Sequence, residues 1–306
     1  EEAGLLNNYD VVIVGAGPAG IFCGLELADS GFRVLILEKG RPLERRLCPA
    51  KDRGIPCIKC ENCSIVCGWG GAGAFSDGKL TLASDVGGNL PLYIGEGALQ
   101  AEIKSVDDVY LNFGAPEYVY GTATDKVEDL HRKALMADMK FVAVKIRHLG
   151  TGHSMEVLQR MYDHLINRGI EIRMGVQVSK IIVERKSVRG VLTTNGEEFA
   201  AKYVMVAPGR ENAAWLEEEA QRLKLNLSVN PVDIGVRVEV PAAITNDITK
   251  DVYEPKLLYY SPTFDDRVRT FCMCPNGEVV QENNQGLITV NGHTHGDRKT
   301  EYSNFA

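Results

Sequence analysis

The sequence predicts an α/β fold built on a parallel sheet, and three stretches carry that prediction. Val11–Val14 is apolar on both faces and runs into Gly15-Ala16-Gly17-Pro18-Ala19-Gly20, as a buried parallel strand entering a glycine turn does. Ile21, Leu25, Leu27 and Ala28 follow at mostly helical spacing and stop at Ser30-Gly31; Val34–Leu37 is then a second apolar run, closed by Glu38. Far downstream, Tyr203–Arg210 reads as another buried strand, ending in the turn Ala207-Pro208-Gly209.

The first two of these stretches together have the order strand, glycine turn, helix, strand, acid. That context gives G-x-G-x-x-G its meaning as a Rossmann-like dinucleotide fingerprint. Gly15 makes the tight turn, Gly17 admits the backbone to a pyrophosphate, and Gly20 lets the helix pack on the strand. With Pro18 and Ala19 at its start, the helix N-terminus offers free N–H groups and a positive dipole end to phosphate. Glu38, with Lys39 beside it, stands where a carboxylate accepts from ribose hydroxyls and repels a 2′-phosphate. The ligand expected here is FAD or NAD(H), not NADP(H).

Length and composition bound the rest. At 306 residues there is chain for about two domains. Hydrophobic residues at 44% and charged residues at 25% are those of an ordinary globular protein. A net charge of −7 argues against nucleic acid as a partner. No apolar run approaches a membrane span, and the Glu1-Glu2 start is wrong for a secretory signal. Eight cysteines without such a signal point to a reducing, cytoplasmic setting and to metal or redox use.

After Glu38 the composition turns to loop. Arg41, Arg45, Arg46, Lys51 and Arg53 sit among prolines and glycines, either as a solvated basic loop or with an arginine such as Arg46 on a cofactor phosphate. Cys57, Cys60, Cys63 and Cys67 then fall in the spacing C-x2-C-x2-C-x3-C, with Cys48 upstream. Bacterial ferredoxins hold a [4Fe–4S] cluster with this run, although Gly68 stands here where they have proline. Cys48 is a candidate to replace Cys67. Three readings stay open: an iron–sulfur cluster, structural zinc, and free thiols or a redox disulfide. Gly68 to Leu80 is glycine-rich but carries Trp69, Phe75 and Leu80, so it reads as backbone pressed against a ligand rather than as a linker. Ser76, Asp77 and Lys79 are its polar candidates for contacts with cofactor or substrate.

The glycine turn, the cysteine loop and Gly70-Gly71-Ala72-Gly73-Ala74-Phe75-Ser76-Asp77-Gly78-Lys79-Leu80 together resemble the uncharacterised FAD-dependent dehydrogenases. These are glutathione-reductase-like two-domain flavoproteins akin to geranylgeranyl reductases. Arg147–Thr151, Thr263–Cys272 and Ser303–Ala306 fit the same pattern. The resemblance implies FAD at Gly15 to Glu38, with Gly70, Gly71, Ala72, Gly73 and Lys79 toward the flavin. It also implies that the backbone at Val178 meets adenine and that Ala207-Pro208-Gly209 is a second turn beside the dinucleotide. It names no substrate.

Between these landmarks, Ala98–Val109 and Asp125–Met139 read as helices and Phe141–Ile146 as a strand. Asp107-Asp108 reads as a solvated face or cap, His131 as a surface helix residue, and His148 and His153 as structural. A helix over 152–168 precedes short strands at Ile170–Met174, Gln177–Glu184, Val188–Thr194 and Glu197–Ala201, with Asn195-Gly196 as a hairpin turn. Asp233–Val240, Lys256–Tyr260 and Arg267–Cys274 read as further strands. Cys272-x-Cys274 is too short for a C-x-x-C redox pair and reads as buried strand thiols. Asn291–Asp297, with His293 and His295, is either a polar loop or a proton-active cluster.

The expected organisation is a discontinuous FAD-binding domain over 1–84 and 147–212, carrying the cysteine-rich loop 48–67. A mixed-sheet α+β substrate domain is expected over 85–146 and 213–290, and 291–306 reads as an incomplete return. The closing strand and helix that cover the flavin in such proteins are not found after Gly296-Asp297. The expected activity is hydride or electron transfer between FAD and an organic small molecule, with NAD(P)H or an electron-donor protein as partner. Two alternatives stand beside it: an iron–sulfur electron-transfer flavoprotein and a non-catalytic dinucleotide-binding accessory protein.

Overall fold

Six strands make the main sheet: β1 (Asn8–Val14), β2 (Val34–Glu38), β3 (Glu171–Met174), β4 (Val178–Glu184), β5 (Ser187–Thr193) and β6 (Glu198–Val206). Their order is β3-β2-β1-β6-β5-β4. β2 and β6 flank β1 in parallel, with Val14 opposite both Leu37 and Val206, and β3 continues the parallel run beyond β2. β4 and β5 are antiparallel additions at the far edge. This computed structural model describes residues 8–75, 78–84, 86–229, 232–284, 287–294 and 299–306.

The α/β class and the parallel sheet are as the sequence predicts. Because β1 and β2 are covered on both faces, Val12, Ile13, Leu35 and Ile36 are all 0% exposed. One face packs Tyr9, Val12, Leu35, Val191 and Phe199 with Trp215. On the other, helix α1 (Pro18–Leu27) comes so close that a Cβ at Gly24 would lie 3.1 Å from Ile36 and 3.5 Å from Leu165.

The turn at Gly196 (φ +84°) joins β5 to β6 as expected. The break expected between Ala201 and Tyr203 is absent. β6 runs unbroken because its first residues pair with β5 and the rest pair with β1, starting at Ala200 opposite Asn8.

The chain divides into two units, residues 1–75, 158–233 and 282–289, and residues 76–157, 234–281 and 290–306. The second unit holds small antiparallel sheets. Lys256–Tyr260 pairs with both Lys140–Val142 and Arg267–Arg269. Ile146–His148 pairs with Lys79–Thr81 and Val119–Tyr120, and Val238–Pro241 pairs with Tyr302–Phe305. Helix Thr124–Leu135 packs Ala134, Val127 and Leu130 against Phe141 and Val252. The strand expected over 233–240 is reduced to its last residues. The one expected over 267–274 stops at Arg269, and Cys272 then takes a left-handed backbone (φ +51°) that no strand accommodates.

Candidate functional site

The end of β1 shapes a cleft within the first unit. Gly15 has φ +102°, and a Cβ there would stand 2.2 Å from the Ala207 carbonyl oxygen, so only glycine fits between the two turns. A Cβ on Gly20 would stand 1.9 Å from the Gly15 carbonyl oxygen, which is the close helix–strand packing the fingerprint requires. Gly17 caps α1 with no side-chain hydrogen bond, and Pro18 opens the helix. The first-turn N–H groups are therefore left for a ligand.

This cleft, of about 240 Å³, is lined by Gly15, Gly17, Pro18, Glu38, Lys39, Gly71, Ala72, Gly73, Val178, Ala207 and Gly209. Eleven residues picked from the sequence for cofactor contact are thus brought together. Ala19 is exposed. Gly70 works from behind, donating its N–H to the Ala16 carbonyl at 2.8 Å.

Glu38 is buried, 7% exposed, at the end of β2. One oxygen accepts the Ala16 N–H at 2.8 Å, and the other accepts those of Gly40 and Gly68 at 2.8 and 3.0 Å. The carboxylate therefore fixes the glycine turn and the start of the glycine-rich segment, leaving one of its roughly four acceptor positions over. Lys39 donates to Asn212 at 2.9 Å and pairs with Glu211 at 3.4 Å. Glu211 also accepts from the Cys67 thiol. Burial first, and then this carboxylate, push the Cys67 thiol far above its usual range, so at neutral pH it is a proton donor and not a thiolate. Glu211 was not singled out in the sequence; its position just beyond the Gly209 turn was the available signal.

Arg46 does not line the cleft. It is 0% exposed and donates to the backbone carbonyls of Ser64, Ile65, Trp69 and Gly71 at 2.6–2.9 Å. Burial draws its guanidinium down to about 10, so it remains charged at neutral pH. It organises the loop that carries the glycines instead of meeting a phosphate itself. Trp69, 1% exposed, donates to the Leu158 carbonyl at 2.8 Å and meets Tyr162 edge-on at 5.0 Å.

The cysteines expected to hold a metal do not converge. Cys57 and Cys60 are exposed, Cys48 and Cys63 are half-buried, and Cys67 is buried. Among the described residues no group of three or more His, Cys, Asp or Glu side chains could hold a metal ion. The reason is local: Cys67 is held inward on Glu211, while the residues around Cys57 and Cys60 face solvent.

In the second unit, Lys79 donates to the Met273 carbonyl and pairs with Glu254, both at 2.9 Å. Glu254 also pairs with the buried Lys256 at 2.9 Å. Burial raises the Glu254 carboxyl, and the two ammonium groups more than reverse this, leaving it below its usual range. Nearby, the Tyr253 hydroxyl lies 2.9 Å from His148 Nε2, with the two rings stacked at 4.1 Å. Neither Tyr253 nor Glu254 carries a sequence signal. Asp107, read as surface, receives the Arg147 guanidinium in two bonds of 2.6 and 2.8 Å. Ser76, Asp77, His295, Gly296 and Asp297 lie outside the described residues.

Residues 10–47, the crossover that builds the cleft, match the family described as FAD binding domain. Residues 133–242 match pyridine nucleotide-disulphide oxidoreductase, and residues 231–306 match FAD-dependent protein, C-terminal domain-like. Together these three matches support an FAD-dependent oxidoreductase family. An uncharacterised protein of Clostridium beijerinckii is 25% identical over 305 residues; the match covers 96% of this chain and 50% of that protein. The chain thus spans half the length of that relative. Among solved structures, glycine oxidase from Geobacillus kaustophilus is similar with 19% identity and a TM-score of 0.44, covering 94% of this chain and 73% of that one. The L-amino acid deaminase from Proteus vulgaris is similar with 14% identity and a TM-score of 0.43, covering 72% and 51%. No helix among the described residues is long and apolar enough to cross a membrane.

Proposed function

We propose that the chain holds FAD in the cleft of its first unit and belongs to an oxidoreductase that moves hydride or electrons between that flavin and an organic small molecule. The observation that carries this reading is the cleft itself. Two glycine turns, at Gly15 and Gly209, flank the uncapped start of α1, with Glu38 at the neighbouring strand end. The first-turn N–H groups of α1 hold the pyrophosphate, Glu38 accepts a ribose hydroxyl, and the backbone at Val178 meets the adenine. Lys39 and Glu211 form the polar floor beside them. Bound FAD supplies an acceptor and donor of one or two electrons, and the protein's part is to position it and keep water away. Lys79 is the candidate substrate-side cation. The eight free cysteines accord with a cytoplasmic setting.

Heat release of the cofactor from purified protein, followed by chromatography, should give FAD in stoichiometric amount. NADH, NADPH and dithionite added anaerobically should then identify what bleaches it. Protein that takes up no FAD in equilibrium dialysis, with the fold intact by circular dichroism, ends the proposal. Iron analysis on the same anaerobic sample addresses the electron-transfer alternative, which requires stoichiometric iron.

A further inference from the structure

The Cys272-x-Cys274 segment lies in the second unit and takes no part in the cleft. Its backbone leaves the sheet after Arg269, and Cys272 sits at φ +51°, a conformation that non-glycine residues adopt rarely and that clusters at functional sites. Cys272 is half-buried, whereas Cys274 is 0% exposed. Cys274 is bridged to Asn304 by backbone bonds of 2.8 and 3.1 Å. Its sulfur lies 3.7 Å from the Cys272 carbonyl oxygen.

Cations lie beside the half-buried Cys272 sulfur. Lys79 Nζ is 3.9 Å from Cys272 Sγ, and Arg237 donates to the Cys272 carbonyl at 3.2 Å. Arg237 Nε and Asn304 Nδ2 are buried donors with no acceptor among the described residues. Glu254 is the opposing charge: it accepts the Cys272 N–H at 3.2 Å, but it is itself paired with Lys79 and Lys256. A Cβ on Gly292 would lie 2.4 Å from Cys274 Sγ and 2.5 Å from both Arg237 Nη1 and Asn304 Oδ1, so backbone is pressed directly onto this group. The hydrogen bond from the Cys274 thiol, followed by Lys79 and Arg237, outweighs burial and draws the Cys272 thiol down to about 5.

We propose that Cys272 and Cys274 form a redox-active dithiol that exchanges with low-molecular-weight disulfides, Cys272 as the attacking thiolate and Cys274 as the resolving thiol. A half-buried sulfur beside a lysine and an arginine has the electropositive, reachable surroundings of a reactive cysteine. The fully buried partner is reached only from within. In the first step Cys272 S⁻ attacks one sulfur of R–S–S–R, giving Cys272–S–S–R and RS⁻. In the second, Cys274 gives its proton to that released thiolate, attacks the Cys272 sulfur and expels the second RS⁻. One external disulfide is reduced, one protein dithiol is oxidised, and no further reagent enters. Reduced thiol reverses both steps.

The test is to incubate the reduced protein with 2-hydroxyethyl disulfide, alkylate what remains, and map peptides by mass. The peptide holding both cysteines should be lighter by two hydrogens and closed to alkylation. Cys274→Ser should stop with the probe on Cys272, and Cys272→Ser should carry no probe on Cys274. In the wild type, iodoacetamide should label Cys272 at pH 6 about tenfold faster than the equally half-buried Cys23, whose thiol desolvation pushes up, and Lys79→Met should move the midpoint of that pH profile upward. Flavin content of Cys272→Ser separates this site from the cleft, because it should stay at the wild-type level. A probe found on Cys274 first, or on neither cysteine, overturns the proposal. So does a Cys272 pH–rate profile like that of a free thiol, and that readout stands even if the serine variants fail to fold.

Discussion

Glu38 receives the N–H of Ala16 at 2.8 Å, so the acid at the end of the second strand holds the glycine turn at the end of the first. Its other oxygen holds Gly40 and Gly68. One carboxylate thereby sets the geometry of three backbone segments around the cleft.

Replacing Glu38 should act on fold and ligand together. Glu38→Ala leaves three buried N–H groups without an acceptor, at about 1–3 kcal/mol each. A loss of at least about 3 kcal/mol in urea unfolding is expected, together with loss of FAD. Glu38→Gln keeps one accepting oxygen, and its loss should be less than half as large.

Gly15→Ala should abolish flavin uptake, because its Cβ would stand 2.2 Å from the Ala207 carbonyl oxygen at a φ of +102°. Gly152→Ala is the contrasting variant. A Cβ there meets nothing within 4 Å, and alanine in place of a helical glycine stabilises by up to about 1 kcal/mol. Thermal melts of the two variants should diverge in opposite directions from wild type, and FAD titrations should show a loss only in Gly15→Ala.

The cysteine loop should alkylate unevenly. At pH 7.5 iodoacetamide should modify exposed Cys57 and Cys60 rapidly and Cys67 at least about tenfold more slowly, since burial and then Glu211 keep the Cys67 thiol protonated. Because its folded value is raised, the stability this thiol contributes is complete below its unfolded value near 9 and falls as pH rises above it. Denaturant melts from pH 8 to 10.5 should show that fall in wild type and a smaller one in Cys67→Ala. Peptide mapping checks the order of reaction.

Acid should weaken the second unit through Glu254. Its carboxyl is held below its usual value by Lys79 and Lys256 against the pull of burial. The associated stability is therefore full above about pH 4.5 and is lost as pH falls through the lowered folded value. Lys256→Met removes one of the two cations and should cost about 1–3 kcal/mol at pH 7. Melts between pH 7 and 3 should decline less steeply in that variant than in wild type.

What the sequence made legible follows the range of each interaction. The β1–turn–α1–β2 crossover is local, and its glycines are dictated by backbone crowding within the motif, so their spacing was enough. Ala207 and Gly209 were readable because a second apolar run ended in a glycine turn. Glu211, Glu254 and Tyr253 were not, because their roles depend on partners distant in the chain: Cys67, Lys79 and His148. Arg46 was noticed for its charge, but its four carbonyl acceptors belong to the main chain and leave no pattern in residue types. The strand expected through Cys274 failed because alternating apolar residues do not reveal a left-handed backbone at Cys272.

The guanidinium of Arg46 also constrains how this sequence can be edited. Its acceptors lie on both sides of Cys67, at Ser64 and Ile65 before it and at Trp69 and Gly71 after it. The thiol-bearing loop is thus stitched to the wall of the cleft at Gly71 and is no detachable ornament. Trimming it in a minimal version of the protein would loosen the cavity wall even if every residue lining that wall were kept, and a graft of the cleft onto another scaffold would have to carry the loop with it.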